Sequence, residues 1–192
     1  MTNDREYRSF DLTAAQGDDQ KNIVRGHAAT FDPYVLYEMN GVRYQERIER
    51  DAFSGCDFSD VVFRIDHTGA VYARTSAQTL HVTVDESGLS FEADLSKTAR
   101  AREIAEDIAA GNYPKASFAF VVEADSYEPE THTRVIHAFR KIYDVSPVTF
   151  PANPATDVTA ATRDYFTAQE ETVKMALAEK RRKALMLRMR LD

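Results

Sequence analysis

The stretch SFAFVVEADSYEPETHTRVIHAFRKI, residues 117–142, decides the predicted fold. Residues 117–124 and 133–142 are rich in aromatic and β-branched side chains, and the polar residues between them include a proline. Two such runs around a short polar segment are typical of a β-hairpin. Residues 80–95 show the same pattern, with LHVTVD and LSFEADL on either side of a Glu-Ser-Gly turn.

Other short runs predict further strands, so the chain belongs to the α+β class and is mainly β. The patterned runs are residues 6–12, 22–31, 44–49 and 61–65. Their alternation of polar and apolar residues indicates sheets with one buried face.

Two helices are predicted as well. The first covers residues 99–110, with Ser96 or Thr98 as its N-cap and Gly111 at its end. The second covers about residues 162–191, which are strong helix formers. We place a boundary near residue 160, so that residues 1–160 form the main domain and residues 161–192 a helical tail.

Composition narrows the classes of function. The 192 residues are 43% hydrophobic, enough for one sizeable core, and the net charge of −7 argues against a nucleic-acid binder. No stretch is long and apolar enough to span a bilayer, and the N-terminus lacks an apolar signal region, which predicts a soluble intracellular protein. No metal-ligand or phosphate-binding motif occurs, so no cofactor is predicted.

Three residues offer the chemistry of a serine hydrolase. Ser117 follows a helix stop and a proline, where a hydroxyl can be presented at the start of a strand. Such a hydroxyl needs a base, and His67, between the run 61–65 and a turn predicted at residues 68–69, is the candidate. Asp144 follows the run 133–142 and could orient the imidazole.

Each of these residues also has an ordinary structural interpretation, and other residues compete with them. Asp66 competes for the acid role, although a strand would direct it to the face opposite His67. His137 could replace the carboxylate as the group that orients His67. Cys56, the only cysteine, lies in a loop-like stretch with no histidine nearby.

Six blocks of sequence, taken in order, resemble the prohead maturation proteases of tailed bacteriophages, a family related in fold to the herpesvirus assembly proteases. The blocks are residues 26–32 (GHAATFD), 46–53 (ERIERDAF), 66–67 with 73–75 (DH and ART), 85–89 (DESGL), 116–120 (ASFAF), and 144–149 with 151–155 (DVSPVT and PANPA).

The resemblance implies a compact β-barrel with peripheral helices and a serine endopeptidase in which Ser117 is the nucleophile, His67 the general base and Asp144 the acid. It implies that the substrates are the phage major capsid protein and scaffold segments, cleaved inside assembling proheads in the cytoplasm of the bacterial host. It also implies self-processing. The apolar stripe of the tail indicates helix–helix self-association, and its basic cluster, residues 180–183, indicates an acidic partner.

Two departures from the family pattern bear on the candidate site. Ala119 stands where glycine is usual, and Asp144 stands where glutamate is usual, one methylene shorter. These departures keep a second hypothesis open, in which the chain is a proteolytically weak or inactive assembly relative of the same fold. An unrelated β-rich binding module is the third.

Overall fold

A computed structural model describes residues 5–12, 22–149 and 160–188 of the chain. Within them lie ten strands and two helices. In chain order they are β1 Glu6–Asp11, β2 Ile23–Thr30, β3 Tyr34–Met39, β4 Val42–Ile48, β5 Val62–Ile65, β6 Thr68–Arg74, β7 Leu80–Val84, β8 Gly88–Asp94, α1 Ala99–Ala109, β9 Lys115–Glu128, β10 Thr133–Val148 and α2 Ala160–Arg188.

The described strands form two sheets. The larger follows the order β1-β9-β10-β4-β3, and a further pair, β5 with β6, joins it because β5 also pairs with β10. The smaller sheet has the order β2-β8-β7. The mainly β fold with two helices is confirmed. The expected barrel is not closed by the described strands, because the outer strands β1 and β3 of the larger sheet do not pair with each other.

Strand β10 is the longest strand and organises the larger sheet. One edge pairs with β9 in antiparallel fashion, while the other pairs in parallel with β4 near its start and with β5 near its end. The two hairpins predicted from sequence, β7–β8 and β9–β10, are both present. The latter extends further than expected, so that Asp144 lies inside a paired strand and not at its end.

Strands β3 and β6 were not predicted. The sequence suggested a turn at residues 68–69, but the turn consists of Asp66 and His67, and Thr68 already pairs with Ile65. Both turn residues have positive φ, 48° and 57°, which is the geometry of a two-residue hairpin turn that twists with its strands. Asp and His tolerate this conformation better than most side chains.

The main core lies between the two sheets and beneath α1. Phe118, Phe120 and Phe139 form an aromatic group, with the first two stacked at 4.6 Å between ring centroids. Helix α1 begins at the predicted cap, where the Thr98 hydroxyl accepts a hydrogen bond from the Ala101 amide. Its buried face, which includes Ala105, closes one side of this core.

The first turns of α2 pack on the larger sheet. Phe166 is 1% exposed and contacts Tyr37 and Tyr44. The Tyr44 hydroxyl donates a hydrogen bond of 2.8 Å to Glu170, and burial together with this carboxylate raises the pKa of Tyr44. The helix predicted for the tail is confirmed over residues 160–188. Residues 150–159, which precede the boundary placed near residue 160, lie outside the described part.

A buried ion network attaches β1 to the larger sheet. Arg8 makes a bidentate contact with Glu46, at 2.6 and 2.7 Å, and the Glu46 side chain is completely buried. Arg134 pairs with Glu6 at 2.6 Å, and the Tyr34 hydroxyl donates to Glu46. Burial raises the pKa of Tyr34, and the neighbouring Glu46 carboxylate raises it further. The network therefore connects β1 with β4 and β10, to which β1 is not joined by backbone pairing.

We expect Glu46→Gln to lower the free energy of unfolding by about 3–5 kcal/mol, because it leaves the buried Arg8 and Arg134 cations without their shared carboxylate. Urea denaturation measures this loss. Glu92→Gln is the control, since the Arg25–Glu92 pair is 41% exposed on both sides and its loss should be far smaller. Equal effects of the two substitutions would show that the network does not hold the sheet together.

Candidate active site

The pairing of β9 with β10 brings two of the three candidate residues onto one face of the sheet. Ser117 lies opposite Ser146, and Asp144 lies opposite Ala119. Because residues two apart on a strand share a face, these four side chains point to the same side. The intervening residues, such as Phe118, point into the core.

His67 reaches this face from the turn between β5 and β6. Strand β5 pairs with β10 at Val62 and Phe63, so the hairpin runs alongside Asp144 and Val145 and its turn lies beyond them. His67 has a positive φ of 57°, and its ring contacts Asp144 on β10 and Ser117 on β9. Three separate segments of the chain thus supply one site, since His67 is 50 residues from Ser117 and 77 residues from Asp144 in sequence.

The three side chains form a continuous hydrogen-bonded row. His67 Nε2 lies 2.8 Å from Ser117 Oγ, and His67 Nδ1 lies 2.6 Å from Asp144 Oδ1. An ionised carboxylate can only accept, which assigns the proton on the ring to Nδ1 and leaves Nε2 to accept from the serine hydroxyl. Such a row can pass a proton from the hydroxyl to the imidazole while the carboxylate stabilises the imidazolium.

Neighbouring residues complete the surroundings of the row. The Ser146 hydroxyl donates to Asp144 Oδ1 at 2.9 Å, so that this oxygen accepts two hydrogen bonds. The Tyr7 ring lies over the His67 ring, at 4.5 Å between centroids. Ser117 and Asp144 are buried, whereas the His67 side chain retains 16% of its exposure and Tyr7 retains 41%. Among the three residues of the row, His67 is therefore the one with the most solvent contact, and the exposed Tyr7 lies next to it.

The competing residues are occupied elsewhere. Both Asp66 oxygens accept hydrogen bonds from Thr149, at 2.8 and 2.6 Å. His137 contacts Glu49 at 2.9 Å and Ser126 at 2.8 Å.

Cys56 lacks the environment of a reactive thiol. Burial raises the pKa of its thiol to about 12, which keeps it protonated near neutral pH. Arg74 forms an ion pair with Asp60. Neither residue belongs to the hydrogen-bonded row.

Sequence reasoning missed two neighbours of the row. Ser146 could have been inferred from the sequence, because strand alternation places residues 144 and 146 on one face. Tyr7 was not, because nothing in the sequence reveals that β1 pairs with β9 or that Tyr7 lies opposite Ala119.

Residues 5–12, 22–149 and 160–188 contain no cluster of three or more His, Cys, Asp or Glu side chains suited to a metal ion. Neither α1 nor α2, over the residues described, is long and apolar enough to cross a membrane.

Comparison with known proteins identifies the family. Residues 8–171 match the model of the Caudovirus prohead serine protease family, a span that includes both halves of the β9–β10 hairpin, the His67 turn and the first turns of α2. The chain belongs to this family of phage prohead serine proteases. Searches of curated proteins and of solved structures found no match.

Proposed function

We propose that this protein is an endopeptidase that cleaves the major capsid protein and scaffold segments of its phage during prohead maturation. The proposal combines the membership of a serine protease family with one observation, the row Ser117–His67–Asp144 with contacts of 2.8 and 2.6 Å. The cleavage takes place inside assembling proheads in the host cytoplasm, and the enzyme also processes itself.

The proposed reaction has two steps. Ser117 Oγ attacks the carbonyl carbon of the scissile bond while its proton passes to His67 Nε2. Asp144 stabilises the imidazolium through Nδ1–H, and the imidazolium then gives its proton to the departing amine as the C–N bond breaks. In the second step a water molecule loses a proton to His67 and attacks the acyl ester, which releases the new carboxyl terminus and restores the Ser117 hydroxyl.

The shorter acid is accommodated by its position in the sheet. Asp144 lies inside β10, directly between Ala119 of β9 and Val62 of β5. From there its carboxylate reaches His67 without the extra methylene of glutamate. Ala119 is the direct cross-strand neighbour of Asp144, so its methyl group lies on the same face, and in the proposed arrangement it limits the room for a longer acid.

The exposed part of α2 supports the proposed self-association of the tail. From Met175 onward its apolar side chains face solvent, with Leu177 50% exposed and Leu187 62% exposed. We propose that two copies of the chain bury these side chains against each other, in the manner of paired amphipathic helices.

Ser117→Ala should abolish processing of the capsid precursor, because removal of a nucleophile lowers kcat on the order of 10⁵–10⁶-fold. Gel analysis of the co-expressed precursor measures processing, and a fluorophosphonate probe measures the reactivity of the serine. Ser126→Ala is the matched control on the same strand, since Ser126 contacts His137 and not the row. Full processing by Ser117→Ala would refute the proposal.

Asp144→Glu should lower kcat/KM by about 10²-fold, because the added methylene displaces the carboxylate or the His67 ring. Ala119→Gly removes the methyl group opposite, so the double variant should recover much of the loss, with a coupling energy of about 1 kcal/mol or more. Hydrolysis of a capsid-precursor peptide by the four proteins of this cycle measures the coupling. Strictly additive effects would contradict the proposed contact.

Leu177→Glu combined with Leu187→Glu should convert the associated protein to monomers, because it places charges in the proposed helix pair. Analytical ultracentrifugation of the full chain measures the mass. Met39→Glu, a similar change at an exposed position on β3, should leave the mass unchanged. A wild-type protein that is already monomeric at micromolar concentration would refute self-association through the tail.

A further inference from the structure

The turn that carries His67 lies beyond the last residues that its hairpin pairs with β10. Strand β5 pairs with β10 only at Val62 and Phe63, and among the described strands β6 pairs with β5 alone. The His67 ring must nevertheless meet Ser117 on β9 and Asp144 on β10 to within normal hydrogen-bond distances. The pairing of β5 with β10 thus ends before the turn, so the turn needs other contacts to stay in place against β10.

Asp66 takes part in three hydrogen bonds, one as donor and two as acceptor, that connect the turn to Pro147 at the end of β10 and to Thr149 directly after it. The Asp66 amide donates to the Pro147 carbonyl oxygen at 3.0 Å. Its carboxylate accepts from the Thr149 amide at 2.8 Å and from the Thr149 hydroxyl at 2.6 Å. We call this set of contacts the Asp66 clasp.

The clasp lies immediately beside the row without taking part in it. Asp66 and His67 are the two central residues of the turn, so any shift of Asp66 moves the backbone from which the imidazole extends. Both Asp66 oxygens are occupied by Thr149, and His67 Nδ1 is occupied by Asp144. The Asp66 carboxylate therefore binds Thr149, and the Asp144 carboxylate binds His67.

We propose that Asp66 is a positioning residue, which sets the place of the His67 ring relative to Ser117 and Asp144 through its contacts with Thr149. The inference rests on the proposed protease function for its kinetic consequences. Its structural consequence, the position of the His67 ring, can be measured without any turnover.

Asp66→Gly and Asp66→Asn separate the clasp from the turn. Glycine and asparagine both favour the positive φ of this position, so both variants keep the hairpin turn. Glycine removes the contacts with the Thr149 side chain and amide, whereas the asparagine side chain can still accept from the amide and donate to the hydroxyl.

Asp66→Gly should lower kcat by about a hundredfold with little change in KM, since a misplaced catalytic group costs about this much, and Asp66→Asn should recover most of the loss. Asp85→Gly is the matched control. Asp85 holds the turn between β7 and β8 through the amides of Ser87 and Gly88, remote from the row, and its loss should cost stability but leave kcat unchanged.

A proton NMR experiment in the Ser117→Ala background tests the position of the ring directly. The His67 Nδ1 proton, held 2.6 Å from Asp144 between the heavy atoms, should give a strongly deshielded signal. Asp66→Gly should abolish or shift this signal, whereas Asp66→Asn and Asp85→Gly should preserve it. Should Asp66→Gly fail to fold, Thr149→Val, which keeps the amide and loses the hydroxyl, should shift the signal in the same direction.

The outcomes distinguish the two proposals. An unchanged signal in both Asp66→Gly and Thr149→Val, or an unchanged kcat in a folded Asp66→Gly enzyme, overturns the positioning role of Asp66. A wild-type protein that cleaves no capsid precursor, together with a signal that depends on Asp66, refutes the protease function and leaves the positioning role supported.

Discussion

The antiparallel pairing of β9 with β10 is the constraint on which the rest of the molecule depends. Its register places Ser117 opposite Ser146 and Ala119 opposite Asp144, so that a hydroxyl and a carboxylate share one face. A slip of β9 by one residue would turn Ser117 into the core and bring Phe118 to the face that carries Asp144, since side chains alternate along a strand. Strand β1 pairs with β9 and strand β5 pairs with β10, and these pairings place Tyr7 next to Ala119 and Val62 next to Asp144.

Burial makes the polar groups on both faces of this sheet depend on their partners. Unpaired polar groups cost several kcal/mol in a dry interior, so Asp144 is stable there because His67 and Ser146 donate to it. The opposite face follows the same rule, with Glu46 shared between Arg8 and Arg134. The two sets are linked through β1, whose Arg8 anchors the strand while Tyr7, on the other face, covers His67.

Particular residues show how far the sequence could be interpreted. The two hairpins, α1 with its Thr98 cap and the long α2 were predictable, because their signals are local patterns of a few residues. The turn at Asp66 and His67 was not, because both residues adopt a left-handed conformation that is uncommon outside glycine. Strand β6 was missed for the same reason, since the turn was expected two residues further on.

The family to which the chain belongs was accessible from ordered sequence motifs alone. The same motifs predicted Ser117, His67 and Asp144 as its candidate catalytic residues. The distances among these three residues were not accessible, and neither were the contacts of Tyr7 and of the Asp66 clasp. These depend on pairing between segments far apart in sequence, for which no local pattern carries a signal. The sequence determined which chemical groups are present, whereas the register of β9, β10 and β5 decided that they meet, because hydrogen-bonded ladders fix side-chain positions to within ångströms.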